Sequence, residues 1–290
     1  MDLQQLRFFI AAAESESFTR GARRVFVSQP ALSASISRLE AELGVRLFTR
    51  NRRSVALTPA GRKLLKRARK IIAELHRAKD ELIHHDKQRR LRLGVINTLS
   101  ITQVARLLEQ YRRENPGVIL RIHDATGPEM ELLARQGRID MALTLLPSPV
   151  DSDRPFTQAQ PLFSEGYALA MASDHPLSQS SGISLDDIQH EPFIARSHCE
   201  YRRILLESLK SKEIRLNTTY IISQDDRALA LVKSGVGIAI VPEHFSLPGV
   251  VKRPLTDITA RRTIGFEWNP GDNEEEINRL VTFAGATHWP

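Results

Sequence analysis

Residues 28–44, SQPALSASISRLEAELG, place Leu32, Ile36, Leu39 and Leu43 at the 3.6-residue spacing of one helix face, which predicts a helix with a single buried side. Ser28 is suited to cap it, Pro30 falls in the first turn where a missing N–H costs nothing, and Gly44 stops it. The opposite face carries Pro30, Ser33, Ala34, Ser37 and Arg38, that is, small polar groups, one methyl and one guanidinium. Such a face is too plain for catalysis. It suits a surface that is itself chemically patterned.

The flanking residues turn this helix into a motif. Leu3, Leu6, Phe9, Ile10 and Ala13 form the stripe of a first amphipathic helix. Thr19 is read as the cap of a second helix running from Arg20 to about Phe26, with a break at Val27-Ser28. Two short helices joined by a tight turn are a helix-turn-helix, whose second helix offers its N-terminal outer face to the major groove of DNA. In RLFTRNRRSVALTP, two β-prone runs, 46–49 and 54–57, flank a tip holding Arg50, Arg52 and Arg53, a wing for phosphates or the minor groove. Thr58-Pro59 then opens a long helix in which Leu64, Ala68, Ile71, Leu75, Ala78 and Leu82 alternate at spacings of four and three. This heptad seam predicts a second copy of the chain to cover it.

Charge agrees with a nucleic-acid partner. The 290 residues carry +7 overall, but residues 1–90 hold +11 and the remainder −4. Neutralising phosphates releases counterions, so a basic N-terminal third reads as a footprint for double-stranded DNA. One cysteine, Cys199, excludes an internal disulfide and a cysteine-rich metal site, and no zinc-type spacing occurs among the nine histidines. With no basic-then-apolar leader and no run of eighteen apolar residues, the chain is expected to remain cytoplasmic, without membrane contact. No G-x-S-x-G elbow or paired metal motif supports an enzyme.

From Leu91 onward β-like and helix-like segments alternate: LRLGVI, a helix near 101–114, VILRIHDA, a helix near 128–136, and DMALTLL, a parallel α/β lobe. A second lobe runs from about Phe163 through GYALAMA, PFIARS, TTYIIS and GIAIVP to Arg261, and TIGFEW with a helix from Glu274 returns to the first. The expected fold class is α/β with an N-terminal all-α winged helix-turn-helix. The domains are 1–58 for DNA binding, 59–89 as dimerising linker and 90–290 as a two-lobed clamp, lobe I being 90–162 with 262–290 and lobe II 163–261.

The segment SFTRGARRVFVSQPALSASISRLEAELGVRLFTR, with LTPAG after it, resembles the winged helix-turn-helix of LysR-type transcriptional regulators. The resemblance extends through YRRENPGV, ARQGRIDMAL and VKSGVGIAIVP. It implies Ser28, Gln29, Pro30 and Ser33 as base contacts and Arg52 or Arg53 as the wing contact. Ala34 stands where the family usually has arginine, so it offers a thymine methyl an apolar contact where arginine would fork onto guanine. It further implies a periplasmic-binding-protein-like domain that binds a small effector, no cofactor, homodimers or homotetramers, and RNA polymerase as a further partner. Candidate effector contacts are Thr98, Ser100, Thr126, Arg196, His198 and Gln224, at strand ends that meet helix N-termini, an arrangement suited to an organic anion. Ordinary N-capping accounts equally for the Ser and Thr positions. Two alternatives stand beside this reading: an architectural DNA binder without a ligand, and a redox or electrophile sensor through Cys199, which lies near Arg196, Arg202 and Arg203 at an expected helix start.

Overall fold

In the computed structural model, which describes residues 1–51, 54–83, 89–146, 155–271 and 273–289, the chain forms two units. One comprises Met1–Lys87 with Leu132–Arg138, the other Gln88–Glu131 with Ile139–Pro290.

The first unit opens with α1 (Leu3–Ser15), capped by Asp2, whose side chain accepts from the Gln5 N–H while the Gln5 side chain accepts from the Asp2 N–H. Helix α2 (Phe18–Arg24) starts two residues earlier than the sequence suggests, because Ser17 and not Thr19 is the cap. Helix α3 (Gln29–Leu43) has Ser28 as N-cap, accepting from Ala31 N, and ends at Gly44 in the left-handed region at φ 68°. Strands β1 (Phe48–Asn51) and β2 (Ser54–Leu57) pair antiparallel, and α4 (Pro59–Ile83) follows.

Phe9, Leu32, Ile36, Leu39 and Leu47 are essentially fully buried, each worth about 1.5–3 kcal/mol on removal from water. Leu43, expected in this stripe, is 37% exposed at the last position of α3. Two polar residues of α3 are buried instead, Ser35 and Glu40. The heptad seam also divides. Ala68 is buried in this core and Leu64 packs against it, so part of the stripe is used within the chain. Ile71 and Ala78 stay exposed with Leu75 partly covered, and the Leu82 side chain lies outside the described residues. Glu14 on α1 forms an ion pair with Arg24 of α2 at 3.0 Å and accepts a hydrogen bond from Arg69 of α4 at 3.1 Å, tying three helices together.

From Arg89 onward β3 (Arg89–Ile96), α5 (Ile101–Glu114), β4 (Val118–Ala125), α6 (Gly127–Arg135, of which the part from Leu132 belongs to the first unit) and β5 (Met141–Leu145) alternate, and β6 (Gln158–Glu165) follows. The chain crosses into β7 (Tyr167–Ala172), β8 (Phe193–Arg196), α7 (Arg202–Ser211), β9 (Thr218–Ile222), α8 (Asp225–Lys233), β10 (Ala239–Pro242) and β11 (Val250–Pro254). It returns through β12 (Arg262–Trp268) to α9 (Glu274–Ala286).

The first sheet has the order β4-β3-β5-β12-β6 and the second β10-β7-β11, with β8 and β9 paired parallel beside it. The first lobe is mixed and not wholly parallel: β3 runs parallel to β4 and β5, whereas β12 lies antiparallel to β5 and β6. Pairing of β6 with β12 carries the first sheet to Glu165, three residues beyond the expected lobe boundary at 162. Glu165 and Arg262 face each other in register where the two strands pass between lobes.

Candidate DNA interface and effector cleft

In the first unit one helix face is buried and the other is bare. Ser28, Gln29, Pro30, Ala34, Ser37 and Arg38 are exposed, and Ser33 is half-buried beside them. The hydroxyl of Ser28 is taken up by its cap bond, which leaves it one further lone pair and its proton for another partner. Phe26, which sequence pattern did not single out, is 95% exposed and sits at φ 57° in the turn before Ser28. A bulky residue in the left-handed region signals a tightly constrained turn. Of the wing arginines, Arg50 lies on β1 opposite Val55, while Arg52 and Arg53 lie outside the described residues.

Glu40 anchors the base of the wing. Its carboxylate accepts from Leu47 N at 2.7 Å, Phe48 N at 3.1 Å and Arg46 Nη1 at 3.1 Å. Burial alone would raise its pKa, but these hydrogen bonds outweigh burial and hold it below the usual glutamate value. A Cβ at Gly61 would stand 2.1 Å from Leu47 O, so only glycine lets α4 approach the wing.

The second unit contains a cavity of 360 Å³. Thr98, Thr126, His198 and Cys199 line it, together with Asn97, Glu131 and Glu200, over an apolar floor of Ile96, Met130, Leu145 and Phe156. Of the six candidate effector positions, Thr98, Thr126 and His198 line the cavity. Ser100 is buried at the N-cap of α5 and does not line it, and Gln224, exposed at the N-cap of α8, does not either.

Arg196 departs furthest from expectation. Its side chain is 1% exposed and its guanidinium pairs with Asp225, donates to Ile240 O at 2.9 Å and reaches Cys199 Sγ at 3.0 Å. A charge expected to meet a ligand is therefore spent inside the protein. The reason is packing: Arg196 ends β8, beside β10, and Asp225 begins α8, so strand and helix close on the charge together.

Arg262, unmarked in the sequence reading, holds the lobes together. Its guanidinium donates to Glu165 Oε1 from Nε at 2.9 Å and from Nη2 at 2.6 Å, to Thr98 O at 2.8 Å and Thr98 Oγ1 at 3.2 Å, and to Glu200 Oε1. Nothing local announces this group, because Thr98, Glu165, Glu200 and Arg262 come from four distant segments.

Cys199 does not have the surroundings expected of a thiolate. Burial pushes its thiol up, Arg196 pulls it down, and Glu200 pushes it up again, with a net rise. Arg202 and Arg203, counted on for positive potential, are exposed on α7. Thr126 is likewise occupied: its N–H and hydroxyl donate to Glu129 Oε2 at 2.9 and 2.8 Å, which lowers the pKa of that carboxyl.

Among the described residues no cluster of three or more histidine, cysteine or acidic side chains could hold a metal ion, and no helix is long and apolar enough to cross a membrane.

Known proteins match this chain along its length. The bacterial regulatory helix-turn-helix protein family of the lysR type matches residues 3–62, and the LysR substrate binding domain matches residues 84–288. The chain is 31% identical over 279 residues to the uncharacterised HTH-type transcriptional regulator YybE of Bacillus subtilis, covering 93% of each. It is 30% identical over 262 residues to the HTH-type transcriptional regulator XapR of Escherichia coli, covering 88% of this chain and 87% of that one. A full-length OxyR variant from Pseudomonas aeruginosa is similar in structure, with a TM-score of 0.59 at 26% identity over 99% of this chain and 95% of that one.

Proposed function

Because the chain belongs to the LysR-type family of transcriptional regulators, we propose that the exposed face of α3 reads DNA bases through Gln29, Pro30 and Ser33. Ser28 contributes at the helix start, Ala34 meets a thymine methyl, and Ser37, Arg38 and the wing arginines Arg50, Arg52 and Arg53 serve as further DNA contacts. The observation that carries this reading is the division of α3 into a buried apolar side and a bare polar one. Two copies join through the exposed part of α4, where Ile71 is 41% exposed, and assemble as dimers or tetramers that engage RNA polymerase at a promoter.

The cavity of the second unit takes the small effector of the substrate-binding domain, with Thr98, Thr126 and His198 in contact. Its presence favours an effector-responsive regulator over an architectural binder without a ligand. Cys199 serves as part of its wall. Occupancy of the cavity biases one arrangement of the subunits and so the spacing or bend of the bound DNA.

Titration of the full chain with promoter DNA across a range of salt concentrations tests the DNA reading. Affinity should fall steeply with salt, and Gln29→Ala should weaken specific binding by roughly 1–3 kcal/mol with little effect on nonspecific binding. Equal affinity of Gln29→Ala and wild type for the specific site would remove the α3 face from the interface.

A further inference from the structure

The turn between α2 and α3 holds a side chain that the fold does not use. Helix α2 ends with Phe26 N donating to Arg23 O at 3.3 Å and Val27 N to Ala22 O at 3.0 Å, the paired bonds of a Schellman ending. This ending puts residue 26 in the left-handed region, at φ 57°, where glycine is at ease and a Cβ costs about 1–2 kcal/mol. Val25 and Val27 on either side pack against the core, so the turn sends residue 26 outward. Its ring is 95% exposed.

The chain contains its own control. Helix α7 ends in the same way, with Glu213 N donating to Lys210 O at 3.2 Å and Ile214 N to Leu209 O at 2.9 Å, and Glu213 stands at φ 58°. Ile214 is buried there, as Val27 is half-buried after α2, and the outward position carries a carboxylate that water solvates. The third non-glycine residue at positive φ among the described residues, Glu16, is also an exposed glutamate. Neither the turn, nor the core, nor solvation calls for phenylalanine at position 26.

Position 26 lies two residues before the Ser28 cap, close in sequence to the exposed Gln29 and Pro30 that open the face of α3, and Arg23 in the last turn of α2 is exposed as well. We propose that the Phe26 ring is a further DNA contact, packing on the apolar part of the groove wall, a thymine methyl or the deoxyribose carbons. This rests on the reading of the α3 face as the one that meets DNA. The major groove presents thymine methyls, and its rim is built of sugars and phosphates, so a ring can cover apolar surface there while a neighbouring arginine meets a phosphate. Contact removes the ring from water and, being uncharged, releases no counterion.

Binding of the full chain to the duplex that it selects from a random pool, measured across salt concentrations, tests this. Phe26→Gly should weaken binding by about tenfold, with the slope of log affinity against log salt unchanged. Phe26→Tyr keeps the ring and should bind as wild type. Thermal unfolding should show Phe26→Gly to be no less stable than wild type, since glycine relieves the turn, and Phe26→Asn, also tolerant of this backbone, provides a second variant without the ring. Replacing thymine by uracil in the duplex separates the two DNA partners: a wild-type advantage over Phe26→Gly that disappears assigns the ring to a methyl, and one that persists assigns it to deoxyribose. Wild-type affinity in Phe26→Gly and Phe26→Asn, with specific binding lost in Gln29→Ala, would overturn the Phe26 contact and leave the α3 reading standing. Wild-type affinity in all three variants would overturn both. Unchanged DNA affinity with a smaller assembly in size-exclusion chromatography would give the ring to a second copy of the chain and overturn the proposal as well.

Discussion

The outer face of α3 and the cavity of the second unit are both lined by small polar residues, yet they handle their hydrogen bonds in opposite ways. On α3 the anchoring is done from behind, by Leu32, Ile36, Leu39 and the buried Glu40, and Gln29, Pro30, Ala34 and Arg38 stay exposed on the opposite face. At the cavity Thr98 is taken up by Arg262 and Thr126 by Glu129, and Arg196, which does not line it, is taken up by Asp225 and Ile240 O. A residue type suited to a ligand therefore marks a contact only where its own bonding capacity is left over. Helix geometry guarantees that surplus on a convex face. A concave site between two lobes does not.

The most severe way to break this contrast is to remove Arg262. Arg262→Met leaves the buried Glu165 and the half-buried Glu200 without their cation and should destabilise the second unit by about 3–5 kcal/mol. Both tryptophans, Trp268 and Trp289, lie in that unit, so their fluorescence in a denaturant titration reports it directly. A midpoint unchanged from wild type would mean that the lobes do not depend on this pair.

Arg196→Met sharpens the contrast by separating a structural charge from a ligand-binding one. Loss of the Asp225 partner should cost about 3 kcal/mol of stability in the same experiment. Normal stability with lost ligand affinity would return Arg196 to the binding site and defeat the internal assignment.

On the other side of the comparison, Ala34→Arg adds a fork to a face that is free to use it. Discrimination between DNA sites should change by about 1–3 kcal/mol, measured by competition between sequences that differ in one base pair. Identical site preference in wild type and variant would show that position 34 does not enter the groove.

The smallest effect concerns the support behind that face. Glu40 has a lowered folded-state pKa, so its stabilisation is present above the ordinary glutamate value of 4.5 and is lost as pH falls through the lower folded value. Glu40→Gln should cost about 1 kcal/mol at neutral pH. The gap from wild type should narrow in acid, as thermal unfolding followed by circular dichroism would show. A gap independent of pH would mean that the charge of Glu40 contributes nothing to anchoring the wing.

Much of this architecture was legible in residue spacing. The stripe of α3, the cap at Ser28, the stop at Gly44 and the alternation of strands and helices after Leu91 are local or periodic, and each appears within a few residues of its expected place. The start of α2 was displaced because Ser17 and Thr19 are both competent caps, and the choice between them depends on how α2 meets α1. Leu64 and Ala68 carry a heptad pattern equally compatible with a partner helix and with the chain's own core, and packing on α1 took them for the latter.

What the amino-acid order determined by itself is the set of elements and the side of each that must be buried, since helix and strand periodicities act over a few residues. The charge division between the basic first ninety residues and the acidic remainder belongs to the same level. Only the tertiary structure decided which charges neutralise each other. Arg262 meets Thr98 from 164 positions away and Glu165 from 97, and Arg196 meets Asp225 from 29. A buried guanidinium must find a carboxylate whatever their separation in sequence, and which one it finds is set by where β12, β6 and β8 bring the chain together.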